Sequence, residues 1–386
     1  VTGVQTCALP ILTAEGRRLD RERKRRENWK RWGPYLSERQ WGTVREDYST
    51  DGAFWHYFPH DHARSRAYRW GEDGLLGWCD RQCRLCFALA LWNGRDPILK
   101  ERLFGLSNPQ GNHGEDVKEI YQYLDATPTY SYCRAMYRYP QAAFPYQQLI
   151  DENGRRGRRK PEFELVDTGV FDDSRFWDIH AEYAKAAPND ILIRLTVANH
   201  GPEEATLHLI PMLWFRNTWS WGCRREGCTL KPRLWLEDRM IAAEHETLGR
   251  FDLHFAEGPD GQTPEPLFTD NHTNRRRLFD ADNETPYVKD AFHRYLIEDD
   301  VEATNPQYTG TKAGLLYRLN VPADQQARLR LRLRTNEPDE TRSPLGRSFA
   351  GTMTRRQQET REYNASVVPA DIPAEQREVA DHALAG

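Results

Sequence analysis

The segment Ile191–Trp214, ILIRLTVANHGPEEATLHLIPMLW, decides the fold class. Residues 191–198 and 205–214 follow an alternating pattern of apolar side chains, which is typical of strands with a buried face. The intervening Asn199–Pro202 is a strong turn signal, since Asn, Gly and Pro all favour chain reversal. The segment therefore predicts two β-strands that pair as an antiparallel hairpin.

Further strand patterns lie on both sides of this segment. Before it they occur at 85–92, at 118–139 as two strands around a turn at Thr127-Pro128, at 163–166 and at 176–184. After it they occur at 233–243, 250–256, 266–269, 313–320 and 326–334. Many strands separated by turns, without interleaved helices, predict a mainly β fold: a large antiparallel β-sandwich with long loops.

The ends of the chain differ from this β-rich centre. Residues 1–11, VTGVQTCALPI, resemble a translated sequencing-library adapter and lack the charged start of a secretory signal, so we exclude them from fold reasoning. Residues 12–80 are interpreted as an N-terminal arm and long ordered loops, and 81–340 as the sandwich domain. Helical periods at 345–365 and 374–384 predict linker helices within 341–386.

Composition excludes several classes of function. The chain has 386 residues, a net charge of −4 and many aromatics, with 12 Trp, 17 Tyr and 15 Phe. Without a basic excess, we expect no nucleic-acid partner. No apolar run reaches the length of about 20 residues that a membrane span requires, so we expect a soluble, cytoplasmic protein without a membrane partner. Seven unevenly spaced cysteines do not indicate a secreted disulfide framework.

Three spacings invite a metal interpretation, and we favour none of them. Cys79-x3-Cys83-x2-Cys86 has the spacing of an iron–sulfur loop, but no βα alternation follows it, and separate thiols are the better interpretation. Cys223-x4-Cys228 lacks the second pair of a zinc site. His56-x3-His60-Asp61-His62 is followed by arginines, which would oppose a bound cation. The expectation is no metal and no cofactor.

The segment 41–73 combines indoles, guanidinium groups and carboxylates, which are the side chains that bind the C–H faces and hydroxyls of sugars. The rival interpretation is a structural ion-pair network in which Arg64 and Arg66 neutralise Asp47, Asp61 and Glu72. The Trp-rich stretch 214–222 is either a second sugar platform or core packing. The candidate substrate-binding residues are Trp41, Glu46, His60, Asp61, Arg64 and Trp70.

Several long motifs resemble a known family. They are Trp32–Tyr48, Phe58–Gly74, Leu91–Arg95, Gly111–Glu119 and Leu213–Gly222. They resemble the opening of large bacterial and fungal glucosidase-like proteins, which are similar to family 63 glycoside hydrolases and carry a mannosylglycerate-hydrolase-like barrel. Cysteines at 79 and 83 stand where the family would have Ser and Gly, and Cys133 stands where it would have Met.

The resemblance implies an N-terminal β-sandwich followed by an (α/α)6 barrel that begins near residue 370. It implies hydrolysis of an α-glucoside or related oligosaccharide with inversion, by an acid and a base that both lie in the barrel. On this basis we expect an N-terminal fragment that lacks the catalytic domain, carries no catalytic residue, is inactive alone and meets its carbohydrate substrate through the barrel. The alternatives are a stand-alone carbohydrate-binding or structural module and a fragment of a sugar phosphorylase.

Overall fold

Two antiparallel sheets packed face to face form the body of the protein, which confirms the predicted mainly β sandwich. The computed structural model describes residues 13–35, 57–67, 73–106, 110–111, 116–222, 227–335 and 343–385. The strands are β1 (Trp32–Pro34), β2 (Leu75–Asp80), β3 (Leu85–Trp92), β4 (Gly105–Leu106), β5 (Asp116–Val117), β6 (Ile120–Ala126), β7 (Tyr132–Pro140), β8 (Phe176–Ala187), β9 (Asp190–Asn199), β10 (Ala205–Phe215), β11 (Arg233–Glu237), β12 (Met240–His245), β13 (Gly249–Phe255), β14 (Glu265–Thr269), β15 (Thr309–Gly310), β16 (Lys312–Val321) and β17 (Gln326–Thr335).

The smaller sheet has the strand order β1-β2-β3-β10-β16-β14, and the larger one β15-β11-β12-β13-β17-β9-β8-β7-β6. All of their pairings are antiparallel. In the larger sheet β17 lies between β13 and β9, so it joins strands that are far apart in sequence. β4 and β5 form a separate short ribbon.

The predicted hairpin at 191–214 is wrong in its pairing, although both of its strands exist. β9 pairs with β8 and β17 in the larger sheet, whereas β10 pairs with β3 and β16 in the smaller one. The turn therefore carries the chain across the core as an arch. Asn199 fixes this arch, because its side-chain amide donates to the Val321 carbonyl at 2.9 Å and the Glu203 carbonyl at 2.8 Å. A local turn signal predicts a reversal but does not determine which sheet receives the next strand.

Aromatic side chains fill the space between the sheets. Trp32, Trp78 and Trp177 are fully buried there. Trp78 stacks on Tyr183 with ring centroids 4.6 Å apart, and the Tyr183 hydroxyl donates to the Leu76 carbonyl at 2.6 Å. Burying such rings contributes much of the stability of a sandwich core, because each removes a large apolar surface from water.

Helices cover the outer faces of the sheets. The helices are α1 (Ala14–Arg23), α2 (His60–Ala63), α3 (Tyr146–Arg156), α4 (Arg275–Phe279), α5 (Ala291–Ile297), α6 (Arg347–Val367) and α7 (Ala374–Ala385). Phe349 and Met353 of α6 pack on Tyr132 and Leu192 of the larger sheet. Phe292 of α5 joins a second apolar cluster on the outer face of the smaller sheet. Within the described ranges, no helix is both long and apolar enough to span a membrane.

Several local expectations are confirmed and others need correction. The strands at 85–92 and 118–139 and the helices at 345–365 and 374–384 form close to their predicted bounds. The strand predicted at 163–166 is instead a 3-10 turn closed by a reciprocal cap between Glu164 and Asp167. The strand predicted at 233–243 is a hairpin that reverses at Asp238, whose φ is +50°. The sequence did not predict helices α2, α3, α4 and α5.

Candidate functional site

The short helix α2 carries the predicted site residues that the structure describes. His60, Asp61 and Arg64 lie on or directly after it, and Pro59 precedes its first turn. Trp41, Glu46 and Trp70 lie outside the described residues, as does the adapter-like segment 1–11. The three described residues have different surroundings in the fold.

His60 anchors α2 to the sandwich. Its Nε2 donates to the Arg102 carbonyl at 2.9 Å, and its ring packs on Tyr146 and Phe104 with centroids 5.1 and 5.5 Å away. Desolvation, reinforced by the nearby Lys100 ammonium, lowers the pKa of His60 well below its usual value. The ring is therefore neutral at physiological pH, and its contacts are with the sandwich rather than with the cleft described below.

Asp61 is an ionised carboxylate held between two arginines. Its oxygens accept from Arg64 Nη1 and Arg277 Nη2, both at 2.5 Å. Partial burial acts to raise the pKa of Asp61, but the two guanidinium groups outweigh it and hold this pKa below its ordinary value. A carboxylate held ionised in this way can accept hydrogen bonds but is unsuited to act as a general acid near neutral pH.

The residues around α2 are tied to the segment 270–298. Lys289 Nζ donates to the carbonyls of Ala63 and Arg66 at 2.7 and 2.8 Å and to the Asp73 carboxylate at 2.5 Å. Ser65 Oγ donates to the Asp290 carboxylate at 2.7 Å. These contacts join two segments more than 200 residues apart, so part of this region is a structural network.

A cleft of about 830 Å³ opens beside Arg64. Its volume falls within the roughly 300–1,000 Å³ of small-molecule sites. Guanidinium groups and carboxylates are interspersed over its walls, so it offers both donors and acceptors to a polyhydroxylated ligand. The charged lining residues are Arg64, Arg276, Arg277, Asp282, Glu284, Asp290, Arg294 and Glu298.

A second hollow of about 320 Å³ adjoins the cleft, and Glu284 lines both. Trp221 and Phe279 are on its wall, and 42% and 59% of their respective surfaces are exposed. The Trp-rich stretch 214–222 thus contains tryptophans in both kinds of environment, the core and the surface, on which its two interpretations depend. Trp214 is buried in the core, whereas Trp221 presents an indole surface to solvent beside polar side chains.

The polar group at the base of the second hollow is His272. Its Nε2 accepts from the Trp219 indole N–H at 2.9 Å, and its Nδ1 lies 3.4 Å from Ser220 Oγ and 3.6 Å from Glu284 Oε2. Burial lowers the pKa of His272, so the ring is neutral. Because Nε2 accepts from Trp219, the ring carries its proton on Nδ1. Nδ1 therefore donates toward Ser220 and cannot remove its proton, which excludes a Ser-His-Glu catalytic triad here.

In the described part of the chain, no group of three or more His, Cys, Asp or Glu side chains is placed to hold a metal ion. His60 and His62 share α2, but the His60 ring nitrogen Nε2 is occupied by a backbone carbonyl.

The wall formed by 270–298 is the part of the site that the sequence did not predict. The sequence signal for this wall is the polar run Asn271–Asn274. The buried side-chain amide of Asn271 donates to the Phe215 carbonyl, and that of Asn274 donates to the Asp290 carboxylate. Such runs are also common in ordinary turns, so they do not by themselves indicate a ligand site.

Comparison with known proteins gives one clear sequence relative. The uncharacterised protein YMR196W of Saccharomyces cerevisiae (strain ATCC 204508 / S288c) is 43% identical, over 84% of this chain. The chain spans only 32% of that protein. No family model matches the chain.

Solved structures resemble the chain only weakly. A putative kojibiose phosphorylase from the human microbiome has 8% identity and a TM-score of 0.28, covering 84% of this chain and 35% of its own. Protein Slr1438 from Synechocystis sp. PCC 6803 has 10% identity and a TM-score of 0.26, covering 69% and 90%. The family GH92 inverting mannosidase BT2199 from Bacteroides thetaiotaomicron has 9% identity and a TM-score of 0.19, covering 69% and 32%. A phosphorylase and a mannosidase are thus among these proteins, at similarities too low to establish a common activity.

Proposed function

We propose that the chain is the N-terminal, non-catalytic β-sandwich portion of an inverting glycoside hydrolase that acts on α-glucosides or related oligosaccharides. The observation that carries the proposal is the pair of adjoining hollows. One is lined by guanidinium groups and carboxylates, and the other is walled by the exposed rings of Trp221 and Phe279. The long motifs that resemble glucosidase-like proteins support the same class of enzyme.

The two hollows suit the two kinds of surface that a pyranose presents. An indole or phenyl face packs against the C–H face of the sugar ring, while carboxylate and guanidinium groups bind its hydroxyls. Arg277, Arg294 and Glu284 are placed to make such hydrogen bonds from the cleft wall. In this proposal the sandwich residues orient an oligosaccharide, and the acid and base of the inverting reaction are supplied by the barrel.

The decisive experiment uses the intact gene product and a panel of α-linked glucose disaccharides, with and without inorganic phosphate. Proton NMR of the first product follows the configuration of the released anomeric centre. Hydrolysis that needs no phosphate and releases the inverted anomer is the expected result. Phosphate-dependent release of a sugar 1-phosphate would replace the proposal with the phosphorylase alternative. Binding without turnover would replace it with the stand-alone module.

The 386-residue chain provides a matched control for that assay. It should show no hydrolysis of any substrate that the intact protein cleaves, because the proposal places both catalytic carboxylates outside the sandwich. Hydrolysis by the purified chain, at a rate that scales with its concentration and exceeds that of a mock purification, would contradict a non-catalytic role.

A further inference from the structure

Three thiols converge where β2 turns into β3. The Sγ atoms of Cys79 and Cys83 are 3.3 Å apart. Cys86 lies opposite Cys79 in the antiparallel register, and its Sγ is 3.6 Å from the Cys83 carbonyl oxygen. The remaining described cysteines, Cys133 and Cys228, belong to other parts of the fold. A sulfur–sulfur bond of about 2.0 Å requires only a small further approach of Cys79 and Cys83.

The turn itself holds Cys83 over Cys79. The Asp80 carboxylate accepts from the backbone N–H groups of Arg84 at 2.7 Å and Leu85 at 3.0 Å, and it also accepts from Arg84 Nε at 3.1 Å. The Cys83 N–H donates to the Asp80 carbonyl at 2.7 Å, and Cys83 has a φ of +50°. Asp80 is fully buried, and its hydrogen bonds fix the turn that holds the two sulfur atoms 3.3 Å apart.

Exposure distinguishes the three thiols. Cys79 and Cys86 are buried, at 6% and 0% exposure, whereas Cys83 is partly exposed. Burial raises the pKa of Cys86 to about 11. The contact with Cys83 acts to lower the pKa of Cys79, but the neighbouring Cys86 and burial raise it well above the ordinary value. A reagent from solvent therefore meets Cys83 first, since reaction requires access as well as a thiolate.

We propose that Cys79 and Cys83 are a modification site, at which a small-molecule disulfide such as oxidised glutathione converts the two thiols into a reversible intrachain disulfide. This inference is independent of the proposed enzymatic function. It rests on the sulfur contact, the fixed turn and the exposure of Cys83.

The reaction proceeds through two thiol–disulfide exchanges. The Cys83 thiolate attacks one sulfur of the oxidant, forms a mixed disulfide and releases one glutathione thiolate. Cys79 then loses its proton to water and attacks Cys83 Sγ, which releases the second glutathione. The protein loses two protons and two electrons, and the oxidant becomes two molecules of reduced glutathione. A reducing thiol reverses both steps.

The sequence allows a sharp test, because Arg81 and Arg84 separate the three cysteines. Trypsin places Cys79 in the peptide 70–81, Cys83 in 82–84 and Cys86 in 85–95. The folded chain is incubated with oxidised glutathione, unfolded with iodoacetamide, digested and analysed by mass spectrometry. The expected product is the 70–81 peptide cross-linked to 82–84, two hydrogens lighter than the reduced pair and lost after dithiothreitol.

Variants make the assignment specific. Cys83→Ser should abolish the cross-link, whereas Cys86→Ala should leave its yield unchanged, with far-ultraviolet circular dichroism confirming that both variants fold. Cys133 is buried and provides an internal reference that should remain fully alkylated after unfolding. Any one of three results would overturn the proposal: a cross-link to the 85–95 peptide, a stable glutathione adduct on Cys83, or alkylation of all three of Cys79, Cys83 and Cys86.

Discussion

At the scale of single residues, Lys185 shows how a buried cation holds the N-terminal arm. Its Nζ donates to the carbonyls of Trp29 and Trp32 at 2.5 Å each and of Thr129 at 3.2 Å, so each ammonium proton has an acceptor. Burial nevertheless lowers the pKa of Lys185 to about 7, because a charge away from water is unfavourable.

A pH dependence of stability follows from this shift. Between pH 7 and about 10.4 the unfolded chain binds more protons at this lysine than the folded one, so folding becomes more favourable as pH rises. Below pH 7 the buried charge of Lys185 lowers the free energy of unfolding by its full amount. Above about pH 10.4, the pKa of lysine in the unfolded chain, this destabilisation is gone. Relative to Lys185→Met, the wild type should gain about 1 kcal/mol per pH unit between pH 7.5 and 9.5 in urea unfolding. Parallel pH profiles for the two proteins would show that Lys185 does not titrate in this window.

Asp61 is the residue at which binding and structure can be separated experimentally. If it orients the sugar, Asp61→Asn in the intact enzyme should lower kcat/KM by roughly ten- to a hundredfold, which corresponds to about 1.5–3 kcal/mol for a charged hydrogen bond. Half of the Asp61 side chain is exposed, so the loss of its ion pairs should change stability by no more than about 1 kcal/mol.

The matched control is Asp20→Asn, which removes a carboxylate paired with Arg23 and Lys24 on α1. It should leave kcat/KM unchanged. Unaltered activity of Asp61→Asn, together with a fall of several degrees in Tm, would make the network around α2 structural only.

Trp221 provides the corresponding test for the second hollow. Trp221→Ala should weaken binding of an oligosaccharide by roughly five- to thirtyfold, because stacking contributes about 1–2 kcal/mol. Isothermal titration calorimetry with the ligand identified in the turnover assay measures this change. Tyr308→Ala removes an aromatic ring of similar exposure outside the hollow and should leave the Kd unaltered. Equal affinities of all three proteins would exclude Trp221 from the binding surface.

Among the secondary-structure elements, α7 packs on the edge strand β6, and Asp381 of α7 lies near enough to Asp125 of β6 for the two like charges to interact. Burial raises the pKa of Asp125 to about 6. Among the neighbouring charges, Arg134 opposes this rise and Asp381 adds to it. The folded state therefore binds an extra proton between about pH 4 and 6, and stability is lost as the pH rises through this window.

Replacing Asp125 by Asn should remove this penalty. At pH 7.5 the variant should be about 1–2 kcal/mol more stable than the wild type, and the difference should disappear below pH 4. Urea unfolding at the two pH values measures both quantities. Asp381→Asn should give a smaller gain, because it removes the like charge but leaves Asp125 buried. A destabilised Asp125→Asn at pH 7.5 would mean that the contact with Arg134 dominates.

The elements also show what the sequence could reveal. Strands such as β3 and β16 were predictable because their apolar runs report local burial. The partners of β9 and β10 were not, because the arch at Asn199 depends on the Val321 carbonyl, more than 120 residues away. The candidate functional site shows the same difference between residues that the sequence predicts and residues that only the fold brings in. Asp61 and Arg64 were chosen by composition, whereas only the fold brings Arg277 to Asp61 and Asp290 to the neighbouring Ser65.

At the scale of the whole molecule, the N-terminal arm contributes to the fold from Thr13 onward. Thr13 Oγ1 accepts from the Gly16 N–H and caps α1, and the buried Glu15 accepts from Thr129 and Ser131. Deleting residues 1–11 retains this cap, so Tm should not change by more than a degree. Deleting residues 1–23 removes α1 with Glu15 and should lower Tm by several degrees. Differential scanning calorimetry compares the two, and a drop of several degrees for the shorter deletion would contradict the adapter interpretation.

The place of β17 between β13 and β9 has a consequence for biosynthesis. During translation, β6 to β9 and β11 to β13 leave the ribosome as two separate half-sheets, each with an open edge. The strand that closes the gap, Gln326–Thr335, follows the other described strands of this sheet in sequence, so it is made after them. Until it emerges, the backbone groups of β9 and β13 have no sheet partner on that side, and open edges of this kind favour aggregation. Nascent chains that stall before residue 335 should therefore depend on chaperones, and those released beyond it should not.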